Sequence, residues 1–369
     1  MKKKIFIITG ESSGDKLASN IVSHFKNSNI DISAIGSDHL RKQKVKIIFD
    51  SLKLSVMGFA DVLKKASFFL NKIDFTVDYI KQYKPDIIFS IDCPDFSFRV
   101  ESKIKKILPN VKILHMVAPT IWAWRESRAF YLKKFIDHIF LLFPFEKKIF
   151  NKYKIKNTFV GHPFFERKMK YKKFRVPGKN IITLCPGSRD SEIKTFMPIF
   201  NQLMKLINNY YGQNFLFHFP VLQRHRSTVK SFLTMNNSML INVDEDKKNF
   251  FIKKSLFCIS KSGTMSLDIC KNSSPLVTIY KTSWINYFLI KPFVKVKYAN
   301  ILNIMAKKEI IPELIQFDCT ASKIFKISSK FIESAKERKN NVFRYTKYIN
   351  MISKKNTSEL VARKIESFF

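Results

Sequence analysis

The fold is decided by a stretch near the start of the chain, Lys4-Ile5-Phe6-Ile7-Ile8-Thr9-Gly10-Glu11-Ser12-Ser13-Gly14-Asp15. Its apolar run predicts a β-strand, the glycines and hydroxyls predict a tight loop, and the spacing of the apolar residues that follow predicts a helix. Apolar runs at 86–91, 112–116 and 138–142 also predict strands connected through helices. Short strands that alternate with helices indicate parallel βαβ units.

A second series of this kind starts after residues 166–179, a basic stretch that contains Pro177-Gly178 and is typical of a linker. Apolar runs predict its strands at 181–184, 215–219, 256–259 and 275–280. Two similar halves predict an α/β protein of two domains with a cleft between them. We expect the domains to be 1–167 and 168–340, followed by a helical tail, 341–369, that packs back on the first domain.

The composition excludes disorder and raises a question about charge. A chain of 369 residues, 46% hydrophobic and 14% aromatic, has enough apolar surface for sizeable cores. Its 66 Lys and Arg against 29 Asp and Glu give a net charge of +37, which is typical of proteins that bind a polyanion. Only 12 of the 66 are Arg, although phosphate recognition favours Arg. We therefore attribute most of the charge to the lysine-rich composition expected of an AT-rich genome.

Several classes of protein are excluded by missing patterns. The five cysteines form no Cys-x-x-Cys pair and no His, Asp and Glu residues have the spacing of a metal site, so we expect reduced thiols, no metal and no cofactor. The opening apolar run is too short for a signal peptide. No stretch approaches 18 uninterrupted apolar residues, so we expect no membrane span.

Two loops in the second half have the character of anion sites. Gly187-Ser188-Arg189 follows a predicted strand and precedes a helix, where backbone amides and a guanidinium would suit a diphosphate. Ser262-Gly263-Thr264 also stands at a helix start. An ordinary turn explains the first loop equally well, and helix capping by Ser262 or Thr264 explains the second. The presence of both loops favours a nucleotide diphosphate.

Carboxylates end a strand in the first half. Asp92 and Asp95 follow the predicted strand 86–91, and ligands of open α/β sheets bind at that edge. A carboxylate there could act as a general base towards a hydroxyl, with a pKa raised by burial. Helix capping is the alternative for one of the two. The loop at 10–15 lies at the equivalent edge and would face the same cleft.

In combination these strings resemble the lipid-A-disaccharide synthases, bacterial glycosyltransferases that make the lipopolysaccharide precursor. The resemblance extends from near the start to about residue 316. It rests on the ordered series Gly10-Glu11-Ser12-Ser13-Gly14-Asp15, Val56-Met57-Gly58, Ile91-Asp92-Cys93-Pro94-Asp95-Phe96, Ala118-Pro119-Thr120-Ile121-Trp122-Ala123-Trp124-Arg125, Pro144-Phe145-Glu146, Phe159-Val160-Gly161-His162-Pro163, Pro186-Gly187-Ser188-Arg189, Ser262-Gly263-Thr264 and Ile311-Pro312-Glu313-Leu314.

The resemblance implies the GT-B fold, two Rossmann-like α/β/α domains facing across a cleft. It implies inverting transfer of 2,3-diacylglucosamine from its UDP derivative to 2,3-diacylglucosamine 1-phosphate (lipid X), with formation of a β-1,6 bond and release of UDP. Asp92 matches the family's catalytic aspartate and Arg189 its phosphate-binding arginine. Donor residues are implied at Gly187, Ser188, Ser262, Gly263, Thr264, Asp268 and Asn303, and acceptor-side residues at Gly10, Glu11, Ser12, Ser13 and Asp15.

The chain departs from the family pattern at two loops and in its tail. Asp268 stands where the family usually has a Glu for a ribose contact, and Gly36-Ser37-Asp38 stands where it has Gly-Gly-Pro. The helical tail matches no motif, so the resemblance leaves a homodimer open.

Residues 62–73 combine apolar bulk with lysines, as an interfacial helix does. An amphipathic helix packed on the sheet is the alternative. The corresponding family region meets the inner membrane, which favours a cytoplasmic protein bound peripherally to that anionic surface. The residues implied in this contact are Val62, Leu63, Phe68, Phe69 and Leu70.

Two other functions compete with this interpretation. One is another GT-B sugar-nucleotide enzyme, either a different glycosyltransferase or a UDP-sugar epimerase. The other is a basic module that binds nucleic acid or membrane, which is motivated only by the charge. The sequence contains no recognised nucleic-acid motif, so we expect no nucleic-acid partner.

Overall fold

The computed structural model describes residues 2–26, 29–51, 54, 66–119, 121, 128–166, 180–233, 240–243, 247–284, 287–288, 291–294 and 296–369. The chain divides into two compact units. Unit 1 comprises Met1–Arg167 and Ile352–Phe369, and unit 2 comprises Lys168–Met351.

Unit 1 is built on a parallel sheet. The strands in its described residues are β1 Lys3–Thr9, β2 Ile30–Gly36, β3 Lys46–Asp50, β4 Ile87–Ile91, β5 Lys112–Met116, β6 His138–Leu141 and β7 Asn157–Phe159. They lie in the order β3-β2-β1-β4-β5-β6-β7, and every pairing among them is parallel.

Helices cover both faces of this sheet. They are α1 Ser12–Val22, α2 Asp38–Lys42, α3 Ala66–Tyr83, α4 Pro94–Ile107, α5 Arg128–Leu132 and α6 Glu146–Lys152. Successive residues of β1 point to opposite faces, so Phe6 and Ile8 enter one apolar cluster whereas Ile5 and Ile7 enter another. A strand buried on both sides must be apolar throughout, which is why the opening run has no polar alternation.

Unit 2 repeats the same plan. The strands in its described residues are β8 Asn180–Cys185, β9 Phe215–Phe219, β10 Leu240–Val243, β11 Ser255–Lys261, β12 Leu276–Tyr280 and β13 Glu313–Ile315. Their order is β10-β9-β8-β11-β12-β13, again with parallel pairings. The helices are α7 Asp190–Tyr211, α8 Arg226–Leu233, α9 Lys248–Lys254, α10 Thr264–Lys271, α11 Ile301–Ala306, α12 Ala321–Glu333 and α13 Ala335–Ile352. The two parallel sheets with flanking helices confirm the predicted α/β class.

The C-terminal region is helical, as predicted, but the predicted tail boundary at 341 is wrong. The chain stays with unit 2 until Met351, because Asn341 Oδ1 accepts a hydrogen bond from the amide of Leu276 at 2.9 Å and the Tyr345 hydroxyl donates to the carbonyl of Ser274 at 2.9 Å. Only the last helix, α14 Thr357–Glu366, packs on unit 1.

Apolar and polar contacts fix α14 there. Val361, Ala362 and Ile365 are fully buried in the cluster that contains Ile5 and Ile7. The Thr357 hydroxyl also donates to the carbonyl of Val160 at 2.9 Å.

The sheet order determines where a ligand can bind. In each unit the first strand lies between the second and the fourth, so the chain leaves the two central strands in opposite directions and opens a crevice at their carboxyl ends. In unit 1 this edge carries the loops after β1 and β4, and in unit 2 the loops after β8 and β11. Among the described residues no helix is long and apolar enough to cross a membrane.

Candidate functional site

The two central loops of unit 1 touch. A β-carbon on Gly10 would lie 2.3 Å from Cβ of Cys93, closer than real side chains approach, so this position excludes every residue but glycine as the loops now stand. Gly14, by contrast, has room for a β-carbon at 3.6 Å from its nearest neighbours. The contact fixes the loop after β1 against the turn that carries Asp92.

Asp92 is held in an unusual backbone conformation. Both Asp92 and Cys93 are left-handed, with φ of 57° and 54°, and the Asp92 amide donates to the carbonyl of Met116 at 3.0 Å. Neither residue caps α4 with its side chain. The half-buried Asp92 carboxyl has a raised pKa, because burial disfavours its charged form more than the hydrogen bond from the Cys93 amide favours it. A partly exposed carboxyl with a raised pKa is a stronger proton acceptor than a fully solvated one.

A buried polar group lies behind this turn. His115 Nε2 faces the carbonyl of Val117 at 3.2 Å and therefore carries the hydrogen, which leaves Nδ1 to accept from the Ser90 hydroxyl at 2.6 Å. Burial lowers the pKa of His115 to about 4, so the ring is neutral. Burial also raises the pKa of the fully buried Glu101 to about 8.

The predicted acceptor residues separate into exposed and buried ones. Glu11, Ser12 and Ser13 are exposed at the start of α1, where they are accessible to a ligand. The prediction that Asp15 faces a cleft is wrong, since its side chain is fully buried. Its carboxylate instead accepts hydrogen bonds from the Ser37 amide and hydroxyl at 2.7 and 2.9 Å, and from the His39 amide at 2.9 Å. Asp15 thus fixes the loop after β2.

Asp95, the second carboxylate of that turn, is exposed. It stands in the first turn of α4 and lies 3.5 Å from the guanidinium of Arg128. The turn therefore contains one half-buried carboxyl, whose pKa burial raises, and one solvated carboxyl.

In unit 2, an ion pair joins the first turn of α7 to the end of β11. Gly187 has φ of 113°, a conformation that favours glycine, and brings the amide of Ser188 to 2.9 Å from Glu192 Oε2. The other oxygen of Glu192 accepts from the ammonium of Lys261 at 2.5 Å. Burial alone would raise the pKa of Glu192, but the hydrogen bonds from Lys261 and Ser188 outweigh burial and lower it.

Arg189 is exposed at the start of α7, where it is the N-cap residue in an extended conformation. The carbonyl of the preceding Ser188 is held from the other side by His225, whose Nε2 lies 3.0 Å away, and by Arg224 at 3.4 Å. The loop backbone is thus anchored while the Arg189 guanidinium remains at the surface of a helix N-terminus, an arrangement that suits an anion.

The second loop presents the start of α10. The Ser262 hydroxyl does not cap this helix but donates to the carbonyl of Ala299 at 2.6 Å. Gly263 has φ of 152°, and both it and Thr264 are exposed. Their backbone amides at the positive end of the helix dipole are the groups there that could meet a phosphate.

Two predicted donor residues are buried inside unit 2, which corrects their direct ligand roles. Asn303 is fully buried, donates to the carbonyl of Ile311 at 2.8 Å and to Glu313 Oε1 at 2.6 Å, and accepts from the amides of Ile310 and Ile311. Asp268 is 5% exposed, and its Oδ2 lies 2.8 Å from the ammonium of Lys248. The polar groups of both side chains are already hydrogen-bonded or ion-paired within the protein, and these contacts position the surrounding loops.

The predicted membrane residues lie on α3 only in part. Val62 and Leu63 fall outside the described residues. Phe68 and Leu70 are 36% and 49% exposed, whereas Phe69 turns inward against Phe96 at a ring distance of 5.5 Å. The prediction that Phe69 contacts a membrane is therefore wrong, because the helical period of 3.6 residues places it on the core face.

Comparison with known proteins identifies the family. The family model described as lipid-A-disaccharide synthetase matches residues 5–365. The chain belongs to the lipid-A-disaccharide synthetase family. It is 30% identical to the lipid-A-disaccharide synthase of Rickettsia prowazekii, with 100% of both chains covered. It is also 30% identical to that of Rhodospirillum centenum, with 87% of this chain and 82% of the relative covered.

Solved structures share the architecture of this lipid-A-disaccharide synthetase family member at low identity. The S. aureus MnaA-UDP co-structure aligns with a TM-score of 0.63 at 14% identity and covers 99% of this chain and 96% of its own. A UDP-GlcNAc 2-epimerase from Neisseria meningitidis, bound to UDP-GlcNAc, has a TM-score of 0.63 at 13% identity over 99% and 100%. A glycosyltransferase from Rickettsia africae has a TM-score of 0.57 at 14% identity over 100% and 98%. These similarities show the GT-B-like fold alone.

Membership of the lipid-A-disaccharide synthetase family makes the chain a glycosyltransferase of lipid A biosynthesis. Sequence reasoning gave no role to five residues that shape these loops, namely Glu192, Lys261, Arg224, His225 and Glu313. Glu192 and Lys261 lie next to quoted motifs and could have been found as opposite charges flanking two anion loops. Glu313 lies within the quoted motif 311–314, whereas Arg224 and His225 come from another part of the chain and no local pattern marks them.

Proposed function

We propose that the protein transfers 2,3-diacylglucosamine from its UDP derivative to the 6-hydroxyl of 2,3-diacylglucosamine 1-phosphate with inversion, forming the β-1,6-linked lipid A disaccharide 1-phosphate and UDP. Family membership supports the product class. The observation that carries the mechanism is the half-buried Asp92 carboxyl with a raised pKa at the carboxyl end of β4.

Asp92 is the general base of this proposal. It takes the proton of the acceptor hydroxyl as that oxygen attacks the anomeric carbon, and the bond to the UDP oxygen breaks with its electron pair leaving on UDP. One displacement inverts the anomeric centre and needs one base but no covalent intermediate. Asp95, paired with Arg128 and solvated, has no such role.

The donor diphosphate is assigned to unit 2. Arg189 supplies a guanidinium that neutralises charge developing on the leaving phosphate, and the backbone amides at the starts of α7 and α10 supply hydrogen bonds. Lys261 is not a free cation for this purpose, because Glu192 holds its ammonium at 2.5 Å. Its ion pair with Glu192 instead holds the start of α7 close to the end of β11.

The lipid substrates lead us to propose that the enzyme works at the cytoplasmic face of the inner membrane. The exposed Phe68, Leu70 and Phe75 of α3, with Lys72 over the rings of Phe68 and Phe75, support this contact. Such a mixture of apolar and cationic groups suits an anionic interface.

The test is a UDP-release assay with both lipid substrates in detergent micelles, with mass measurement of the product. Wild type should release UDP and form the disaccharide 1-phosphate, and Asp92→Asn should lose roughly two to four orders of magnitude in kcat. Asp95→Asn is the matched control and should keep activity within about threefold. Full activity in Asp92→Asn, or equal turnover of unacylated UDP-GlcNAc, would overturn the proposal.

A further inference from the structure

A cluster of exposed aromatic side chains in unit 2 is not used by the proposed chemistry. Trp284, Phe288, Phe293 and Phe317 are 51%, 60%, 64% and 55% exposed. Val294, which follows Phe293 in the chain, is 41% exposed. We call these five residues the aromatic surface. Soluble proteins seldom leave several large apolar side chains exposed together without a partner for them.

Hydrogen bonds within unit 2 hold part of the aromatic surface in place. Gln316 is 2% exposed and exchanges two hydrogen bonds with the backbone of Thr282, whose amide donates at 3.1 Å and whose carbonyl accepts at 3.0 Å. This pair ties the segment after β12 to the end of β13. It brings the ring of Trp284 to 4.6 Å from that of Phe317, and Phe288 lies at 6.3 Å from Trp284.

Lysines outnumber carboxylates along this part of the chain, where Glu309 interacts with Lys297. No Asp or Glu occurs between Asp268 and Glu309, whereas seven lysines do. Lys291 is exposed and lies 5.4 Å from the ring centre of Tyr287, and Lys297 is exposed 5.6 Å from that of Tyr298. The acidic Asp318, which follows Phe317, is paired with Lys323 at 2.5 Å. The aromatic surface is therefore flanked by an excess of lysines.

We propose that the aromatic surface docks on an anionic phospholipid bilayer and forms a membrane contact in unit 2 separate from that of α3. Trp and Phe side chains insert at the boundary of headgroups and acyl chains, while lysines remain at the level of the phosphates. The inference rests on the proposed function in one respect, because a bilayer is where an enzyme with two lipid substrates meets them.

Charge complementarity selects this occupant over the alternatives. A second copy of the chain would bring the same lysines against each other, which is unfavourable for a chain with a net charge of +37. An acyl chain of the substrate would use the rings but gain nothing from the lysines around them.

The test is flotation of the purified full chain with vesicles of pure phosphatidylcholine and with vesicles that contain phosphatidylglycerol, in the absence of substrate. Wild type should bind the anionic vesicles more tightly. The double variant Phe288→Ser/Phe293→Ser should lose roughly tenfold in its partition coefficient on anionic vesicles, since interfacial affinity scales with the inserted apolar area. The variant Lys291→Glu/Lys297→Glu should lose a similar factor on anionic vesicles only.

Two matched controls separate this contact from general effects. Phe343→Ser removes an aromatic ring that is 81% exposed elsewhere in unit 2, and Lys205→Glu reverses an exposed charge on α7; both should bind vesicles as wild type does. The proposal is overturned if the aromatic-surface variants partition as these controls do, or if wild type does not float with anionic vesicles.

A parallel assay in detergent micelles keeps this result distinct from the proposed function. There the aromatic-surface variants should release UDP at the wild-type rate. A higher KM for the lipid substrates in micelles, with unchanged vesicle binding, would assign the surface to substrate acyl chains and overturn the proposal. A self-association that Phe288→Ser abolishes would overturn it in favour of a second copy. If wild type releases no UDP at all, the proposed function fails while the vesicle result stands on its own.

Discussion

Gly10 lies directly against Cys93, so that a β-carbon on Gly10 would come within 2.3 Å of Cβ and 2.5 Å of Sγ of Cys93. These residues lie in the loops that follow β1 and β4, the two central strands between which ligands of such sheets bind. Cys93 itself is left-handed, with φ of 54°, and stands between Asp92 and α4. The glycine thus permits the backbone path that aims Asp92.

Gly10→Ala should therefore displace the Asp92 turn. We expect unfolding free energy to fall by about 1–3 kcal/mol and kcat to fall further than stability alone explains. The double variant Gly10→Ala/Cys93→Gly removes the clashing side chain and places glycine at a left-handed position, so it should recover most of both losses. Chemical denaturation and UDP release measure the two effects. Equal losses in the single and double variants would contradict the steric account.

The raised pKa of Asp92 predicts a pH dependence of the reaction. The base must be ionised, so kcat/KM should rise with pH through an acidic limb that lies above the ordinary aspartate pKa. Initial rates between pH 4.5 and 8 measure it. The limb should be absent from the residual activity of Asp92→Asn and retained in Asp95→Asn. An unchanged limb in Asp92→Asn would show that another group titrates.

The pair formed by Glu192 and Lys261 predicts a coupled effect on the donor loops. Glu192→Gln leaves the ammonium with a weaker partner and loosens the Ser188 amide, so we expect a loss of about 1–2 kcal/mol in stability and a several-fold rise in donor KM, with little change in kcat. A double-mutant cycle with Lys261→Met measures the coupling. Additive effects would show that the two residues act independently.

The same pair has a defined response to acid. Because the pKa of Glu192 is lowered in the folded protein, its contribution is present above the ordinary glutamate pKa and is lost as pH falls through the lowered value. As the pH falls below about 4, the unfolding free energy of Glu192→Gln should therefore decrease less than that of wild type.

Asn303 should behave as a structural residue. Its amide satisfies the Ile310–Glu313 loop from inside, so Asn303→Ala should cost about 2–4 kcal/mol of unfolding free energy. Asn303→Asp keeps the two acceptor contacts but sets a carboxylate against Glu313, whose pKa is already raised by burial, and should be less destabilised at pH 5 than at pH 8. Thermal unfolding at both values tests this. A raised donor KM with wild-type stability would restore a direct role in donor binding.

The buried Glu101 predicts a loss of stability at high pH. Its folded pKa, raised to about 8 from 4.5, means that its contribution is complete below the lower value and is lost as pH rises through the higher one. Between pH 6.5 and 8 wild type should lose about 2 kcal/mol relative to Glu101→Gln, because His115 is common to both proteins and its titration cancels from the comparison.

Denaturation curves across that pH range measure how the unfolding free energy changes with pH in each protein. Asp78→Asn, which alters a carboxylate that is 66% exposed, should retain the wild-type slope. An equal pH dependence of the unfolding free energy in wild type and Glu101→Gln would show that Glu101 is ionised in the folded protein.

Much of the fold could be predicted because its determinants are local. Predominantly apolar runs with few buried polar residues mark β1, β4, β5, β6, β8, β9, β11 and β12, since strands buried on both faces carry no regular polar alternation. The shorter strands β7 and β13 have three residues each, too few for any period to appear. The tail boundary was mispredicted because one continuous helical pattern covers segments that pack on different units.

What the sequence determined by itself is the place of each loop, because the residues that end a strand and open a helix are neighbours in the chain. Gly10, Asp92, Arg189 and Gly263 could all be located in this way. The tertiary structure decided which polar groups are available to a ligand. Asp15, Asp268 and Asn303 lie in or near the predicted loops, yet each is buried against partners that no local pattern names. A polar side chain is available to a ligand only if the fold places no hydrogen-bonding or charged partner next to it. Such partners are often distant in the sequence and become neighbours only in the folded chain.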